Sequence, residues 1–139
     1  MNRKSRSAPV FCAAALAAGC LAAGWTGASA QRARVPVMYG GAPGLDACGG
    51  LGRVRGLQRG GDNFLSVRAG PGTHHREIDR LRNGRSVWFC DGSGDWIGIV
   101  YGAAGQECNV GSPVARKMPY PGPCRSGWVH KTFVELMAG

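Results

Sequence analysis

The sequence predicts an all-β fold, and three observations support that prediction. Short stretches alternate between apolar and polar residues with a period of two, as in Leu65 to Arg68. Glycine and proline interrupt the chain at short intervals, with 24 glycines and 8 prolines in 139 residues. Turn sequences such as Asn83-Gly84 and Asp91 to Asp95 separate the alternating stretches, which is typical of consecutive antiparallel strands.

The first 30 residues have the pattern of a secretory signal peptide (1–30). Basic residues precede an alanine-rich run from Ala8 to Ala23, and Ala28-Ser29-Ala30 offers the small residues of a cleavage site. The run is too short for a membrane span and is broken by Gly19 and Gly24, so no membrane span is expected. Ala18-Gly19-Cys20 also resembles a lipoprotein site, which is the alternative interpretation. We expect an exported protein, periplasmic or extracellular.

Cleavage after Ala30 leaves 139 − 30 = 109 residues, which is the size of one domain. Three of the 17 basic residues leave with the signal peptide, so 14 basic face 8 acidic residues and the net charge is +6. Anionic envelope polymers or acidic protein surfaces are natural partners of such a charge outside the cytoplasm, and no nucleic-acid partner is expected. A basic surface that only aids solubility explains the charge equally well.

Four cysteines remain after cleavage, and an even number in a small exported chain predicts two disulfides. Three connectivities are possible. Cys108 and Cys124 flank one irregular segment and pair most economically with each other, which leaves Cys48 for Cys90. Closing such a loop stabilises by about 3 kcal/mol in the chain-entropy model.

Residues 31–47 are expected to form a flexible N-terminal segment, because proline and glycine are frequent there and apolar residues are few. The alternative is an edge strand from Val37 to Tyr39. The first strand of the domain is predicted at 53–57, followed by a turn at 58–63 and a strand at 64–68. Asn83-Gly84 then predicts a hairpin between strands at 78–81 and 86–90.

The most hydrophobic strand is predicted at 96–101, and its alternation does not say which of its two faces is inside. Residues 102–126 lack convincing periodicity and form a long loop, which a disulfide between Cys108 and Cys124 would hold. The tip of this loop is basic, aromatic and rich in proline. It is either a binding loop or an inert insertion, and the sequence favours neither.

The order of these motifs resembles that of a bacterial SH3 (Src-homology-3-like) domain over about residues 54–136. The resemblance is carried by Leu65-Ser66-Val67-Arg68-Ala69-Gly70-Pro71-Gly72, Ile78 and Leu81, Gly84 with Val87, Gly94 to Trp96 with Ile99, and Gly127-Trp128-Val129. It implies a small SH3-like barrel of five to six short antiparallel strands over residues 48–139. Residues 102–126 would be an insertion where the family has a short turn.

The resemblance also implies which residues form a site. It places Ile97, Ile99 and Tyr101 in the core and Trp96 in a surface groove. Residues 127–136 resemble the closing strand, helical turn and last strand of SH3 domains, with His130 at the family's proline and Phe133 at its groove tyrosine. The expected groove residues are Trp96, Trp128, His130 and Phe133, with Arg68, His74 and Asp95 as contacts from the flanking loops. Arg116, Lys117 and Tyr120 are further expected loop contacts, which follow from the composition of the long loop and not from the resemblance.

No catalytic residue, metal site or cofactor is predicted. A cysteine nucleophile needs a free thiolate, whereas all four cysteines are expected to be oxidised. His74 and His75 are adjacent, and nothing nearby supplies a third zinc ligand. The acid pairs Glu77/Asp79 and Asp91/Asp95 could cleave glycans only across a cleft that so small a barrel does not provide.

These observations predict a monomeric, non-enzymatic binding module of SH3 type that recognises an extended envelope ligand, either a peptidoglycan peptide or a partner protein. Leu65 and Val67 replace the tyrosine-rich first strand of proline-binding SH3 domains, so recognition of polyproline is not expected. The alternative is a secreted inhibitor or regulator of an envelope hydrolase. It would insert the basic loop around Arg116 and Lys117 into an acidic cleft.

Overall fold

The structure is a computed structural model that describes residues 32–139. The predicted signal peptide and the lipoprotein site at Cys20 lie outside the described residues. Residues 32–139 form nine strands and one three-residue 3-10 turn and contain no α-helix. The strands are β1 Met38–Tyr39, β2 Gly50–Val54, β3 Leu65–Arg68, β4 Glu77–Leu81, β5 Ser86–Ser93, β6 Trp96–Tyr101, β7 Met118–Pro119, β8 Arg125–His130 and β9 Val134–Ala138.

The predicted all-β class is confirmed, but nine strands exceed the five to six expected. Seven of them form one antiparallel sheet in the order β4-β3-β8-β6-β5-β2-β9, and β1 pairs with β7 in a second, two-stranded sheet. β6 lies at the centre of the larger sheet between β5 and β8. The 3-10 turn Lys131–Phe133 joins β8 to β9, so residues 127–136 do contain the expected strand, helical turn and strand.

No helix among residues 32–139 is long and apolar enough to cross a membrane.

The hairpin predicted at Asn83-Gly84 is wrong, although the turn itself is present. β4 pairs with β3, whereas β5 pairs with β2 and β6, so the two strands diverge after the turn. The turn is bound to the end of β2 instead, since Val54 N donates to Arg85 O at 2.9 Å and Gly84 N donates to Val54 O at 2.8 Å. The Asn83 side chain also bonds both backbone groups of Leu57. The backbone of the turn is therefore satisfied without pairing β4 to β5.

One face of the large sheet carries the first core. Ile99 and Tyr101 belong to it and Ile97 packs against it, as expected. Val100 points to the opposite face and is also fully buried. Both faces of β6 are therefore covered. The buried members of the first core are Val54, Leu65, Val67, Leu81, Val87, Ile99, Tyr101 and Val129.

The second core covers the opposite face of β6, and it is built by the segments that the sequence predicts to be flexible or irregular. Part of residues 35–48 is packed: Val37 is 2% exposed, and Tyr39 pairs with Met118 across β1 and β7. The edge-strand alternative for Val37 to Tyr39 agrees with this packing. The few buried apolar residues of the segment find their partners in the long loop, far along the chain. The buried members of the second core are Tyr39, Ala47, Cys48, Val100, Cys108 and Val110.

Both disulfides of the described residues lie in the second core. Cys48 is bonded to Cys90 and Cys108 to Cys124, which is the pairing that the sequence favours. Their partners are separated by 42 and 16 residues. Loops of these lengths stabilise by about 3 to 4 kcal/mol each in the chain-entropy model. Two disulfides are compatible with an oxidising, exported environment.

Candidate ligand-binding groove

Three of the four expected groove residues line one open groove of about 520 Å³. Trp96 on β6 lies directly opposite His130 on β8, and Phe133 ends the 3-10 turn that follows β8. The rings of Trp96 and His130 meet edge to face with centroids 5.6 Å apart, and the centroids of His130 and Phe133 are 6.3 Å apart. All three side chains are partly exposed, so a ligand can contact them.

The other wall of the groove comes from the turn between β2 and β3 and from β3 itself. Leu57 and Phe64 line it together with Ser66. The Arg80 guanidinium carbon lies 4.1 Å from the centroid of the Phe64 ring, a cation–π contact that holds the ring in place. Leu57 and Phe64 are not among the predicted site residues. The alternation from Phe64 through Ser66 to Arg68 places these three side chains on one face, which is the sequence signal available for Phe64.

Among the described residues that line the groove, Arg68 is the only arginine or lysine. Its Nη1 donates to His75 O at 2.9 Å and to Thr73 O at 3.3 Å. Both bonds use one nitrogen of the guanidinium, so Nε and Nη2 keep donors for a ligand. Arg68 therefore ties the loop after β3 to the groove and supplies positive charge there.

Trp128 does not line the groove, which corrects its assignment as a groove residue. It is 3% exposed, and its Nε1 donates to Val35 O at 2.9 Å. Trp128 lies opposite Gly98 in the sheet, and Val37 packs over Gly98. The N-terminal segment that the sequence predicts to be flexible therefore covers this tryptophan.

His74 and Asp95, two of the expected loop contacts, also lie outside the groove lining. Desolvation and the charges of Arg32 and His75 lower the pKa of His74 below its ordinary value, so it stays neutral near pH 7. Asp95 precedes Trp96 and forms an ion pair with Lys131 at 2.7 Å. The hydrogen bond and charge of Lys131 lower the pKa of Asp95.

The long loop at residues 102–126, which the Cys108–Cys124 disulfide closes, does not line the groove either. Lys117 Nζ lies 3.3 Å from Asp91 Oδ1, and Asp91 Oδ2 accepts a hydrogen bond from Met38 N at 3.0 Å. Lys117 therefore helps to anchor β1. Arg116 is exposed and remains accessible to a partner.

Tyr120 is a structural residue of the second core rather than a free loop contact. Its hydroxyl donates to Cys108 O at 2.6 Å and accepts from Cys124 N at 3.3 Å. Its ring meets that of Tyr39 edge to face at 5.5 Å. The side chain thus joins the N-terminal segment to both ends of the Cys108–Cys124 loop.

The acid pairs Glu77/Asp79 and Asp91/Asp95, the candidates for glycan cleavage, are held by hydrogen bonds and by neighbouring cations. Hydrogen bonds from Ser66 and Arg80 lower the pKa of Glu77, and Asp79 accepts from Tyr101 and Arg125. An acid held in its ionised form is a poor proton donor near neutral pH. In residues 32–139 all four cysteines are in disulfides, and no group of three or more His, Cys, Asp or Glu is placed to hold a metal ion.

Comparisons of the chain with protein-family models, with curated proteins and with solved structures found no match. The geometry of the groove is therefore the basis for a functional proposal.

Proposed function

We propose that this protein is an exported, non-enzymatic binding module with an SH3-like barrel, and that it binds an extended envelope ligand in the groove at Trp96. The ligand is a peptidoglycan stem peptide or an extended segment of a partner protein. The barrel assignment rests on the order of the sequence motifs. Export rests on the signal-peptide pattern and is compatible with the two disulfides.

One observation carries the proposal: aromatic side chains from distant parts of the sequence converge on one open groove. Phe64 directly before β3, Trp96 on β6 and Phe133 in the 3-10 turn line the same space of about 520 Å³. Aromatic surfaces of this kind favour extended peptides, because a stiff ligand loses little conformational entropy when it docks. Arg68 and Asp62 line the same groove and provide a cation and an anion for the charged ends of such a peptide.

The absence of enzymatic activity is part of the proposal, and the state of the described acids and cysteines supports it. The acids of the pairs Glu77/Asp79 and Asp91/Asp95 are bound to cations or hydroxyl groups. The cysteines of residues 32–139 are oxidised to disulfides. The inhibitor alternative draws less support from the geometry, because Lys117 is paired with Asp91 and Tyr120 is packed in the second core.

The test is a pull-down of the oxidised protein on insoluble peptidoglycan at low and at physiological salt. We expect the native protein to be retained at both salts. Trp96→Ala and Phe64→Ala should each reduce the affinity about tenfold or more, because each removes one aromatic wall of the groove. Leu136→Ala is the matched control, since Leu136 is 58% exposed and lies outside the groove.

Retention that disappears at physiological salt would mean that the net charge alone is responsible, and would contradict the groove as the binding site. An equal loss in Leu136→Ala would contradict it as well. If Arg116→Ala with Lys117→Ala abolished binding of a hydrolase while Trp96→Ala left it intact, the inhibitor role would replace the present proposal.

A further inference from the structure

A cleft lined by arginines lies beside the groove. One wall is residues 79–85, at the end of β4 and the turn that follows. The other is formed by Tyr101 at the end of β6, by residues 102–104 and 106 of the long loop, and by Pro123 and Arg125. The volume of the cleft is about 860 Å³. Among the described residues, the linings of cleft and groove have none in common. Arg80, Arg82, Arg85 and Arg125 line this space, which we call the arginine cleft.

The arginine cleft is positive. Four arginines and one carboxylate, Asp79, give its lining a net charge of 4 − 1 = +3, and the ion pair of Arg80 with Glu77 just outside the lining reduces this to 3 − 1 = +2. Asp79 is already engaged, because its Oδ2 accepts from Arg125 Nη1 at 2.9 Å and from the Tyr101 hydroxyl at 3.0 Å. Burial raises the pKa of Asp79, but hydrogen bonds from the Arg80 backbone, Arg125 and Tyr101 together hold it below its ordinary value. The one acid is therefore ionised and satisfied within the protein.

Each of the other arginines is oriented by a contact of its own and keeps further donors. Arg82 Nη1 donates to Asn63 O at 3.4 Å, and Arg85 Nη2 donates to Gly102 O. Arg80 Nε donates to Glu77. A guanidinium has five N–H donors, so most of them remain for a ligand. Side chains that are already oriented lose less entropy when an anion binds.

We propose that the arginine cleft binds the phosphate groups of an anionic envelope polymer. This site is separate from the groove. The envelope location of its ligand rests on the export proposed above, but phosphate binding itself does not depend on the function proposed for the groove. The cleft is concave and large enough to take several groups of a chain, and its charge complements a polyanion.

Two features favour phosphate over other anions. The arginines come from β4, from the turn after it and from β8, so guanidinium groups of three chain segments line one space. A tetrahedral phosphate accepts hydrogen bonds from several directions, whereas a planar carboxylate is satisfied by one guanidinium fork. Among the described residues that line the cleft, none is tryptophan or phenylalanine, and Tyr101 is buried. The bases of a nucleic acid would therefore find no exposed aromatic ring to stack on.

The test is titration calorimetry of the oxidised protein with tripolyphosphate and, separately, with pyrophosphate and citrate, a phosphate and a carboxylate of similar charge near neutral pH. We expect pyrophosphate to bind more tightly than citrate. Arg82→Gln with Arg125→Gln should weaken tripolyphosphate binding at least about tenfold, because charge-assisted hydrogen bonds are lost. The control pair Arg59→Gln with Arg116→Gln removes the same charge from exposed positions outside the cleft, and should change binding less than about threefold.

Thermal unfolding of each variant checks that it is folded, and Arg82→Gln alone serves if the double variant is not. Arg82 is exposed and has one long contact, so this single change spares the fold. Equal losses in the cleft and control pairs, or no binding of tripolyphosphate at low salt, would overturn the proposal. Citrate binding as tightly as pyrophosphate would overturn the assignment to phosphate. Trp96→Ala should leave tripolyphosphate binding unchanged, which separates this site from the groove.

Discussion

Hydrogen bonds determine whether an aromatic residue of this protein is structural or available to a ligand. Tyr120 and Trp96 are both partly exposed, and sequence patterns treat them alike. The Tyr120 hydroxyl bridges Cys108 O and Cys124 N, whereas Trp96 contributes its ring to the groove. Residue type alone marks both side chains as candidate contacts for a ligand. For Tyr120, the backbone groups that already bond its hydroxyl give it a structural role.

Asp79 gives the clearest prediction for a single residue. Its pKa lies below the ordinary value of 3.8 in the folded protein, so its stabilising contribution is complete above that pH and is lost as the pH falls through the lowered pKa. We expect Asp79→Asn to lose less stability than the native protein on acidification from pH 5 to pH 2. Urea unfolding at a series of pH values measures this difference.

Glu77 and Asp95 also have lowered pKa values and are retained in this variant, so some acid sensitivity should persist. The amide oxygen that Asp79→Asn introduces can still accept a hydrogen bond from the Tyr101 hydroxyl, which keeps the effect of the substitution local. Parallel curves for the two proteins over this pH range would rule out a stabilising role for the Asp79 carboxylate.

At the level of elements, the N-terminal segment packs closely on the sheet at Gly98, where Val37 lies over the glycine. A Cβ at Gly98 would lie 2.7 Å from Asp91 Cβ and 3.0 Å from Val37 Cγ1. Gly98→Ala should therefore displace the segment and destabilise the protein by about 1 to 3 kcal/mol. Limited proteolysis of residues 32–47 and chemical denaturation measure the two effects.

Gly92→Ala is the matched control for that substitution, because it lies on the neighbouring strand β5 and a Cβ there would have no neighbour within 4 Å. It should change stability by less than about 0.5 kcal/mol. If both alanines were tolerated equally, close packing of the segment on Gly98 would be excluded.

The elements also show what local sequence can predict. Alternation locates β3, and a continuous run of apolar residues locates β6, which is covered on both faces. The Asn83-Gly84 turn is recognisable, but its pairing is not, since the same turn can join paired or diverging strands. The sequence favours a tether over β1 because Met38 pairs with Pro119, a partner far along the chain. Distant pairing leaves no local signature.

The candidate site likewise divides into residues with a local sequence pattern and residues whose surroundings come from distant parts of the chain. Trp96, His130 and Phe133 are predictable because they lie in a strand and a closing motif with a recognisable pattern. The prediction for Trp128 is wrong because its cover, Val35, lies 93 residues away in the sequence. The arginine cleft is only partly visible in the sequence. Arg80, Arg82 and Arg85 lie within six consecutive residues, whereas only the fold brings Arg125 on β8 to them.

At the scale of the whole molecule, the two cores differ in how they are held. The second core contains both described disulfides, while the described residues of the first core include no cysteine. Reduction should therefore expose the second core first, with about 3 to 4 kcal/mol lost for each disulfide in the chain-entropy model. Hydrogen exchange before and after reduction should show early loss of protection at Cys48 N and Tyr120 N, which bond to Val110 O and Val37 O.

Protection in β3 and β4 should persist longer under the same conditions, because their pairing does not involve the second core. Cys108→Ser with Cys124→Ser provides the variant in which one disulfide alone is missing. Simultaneous loss of protection in both cores would mean that they unfold as one cooperative unit.

The placement of the described tryptophans gives the molecule three built-in optical reporters. Trp88 packs against the second core, Trp96 lines the groove and Trp128 lies beneath the N-terminal segment with its indole N–H bonded to Val35 O. Indole emission responds to water and to hydrogen bonding, so each ring senses a different event. Variants that keep one of these three rings would let core opening, ligand arrival and release of the N-terminal segment be followed separately, with no added dye.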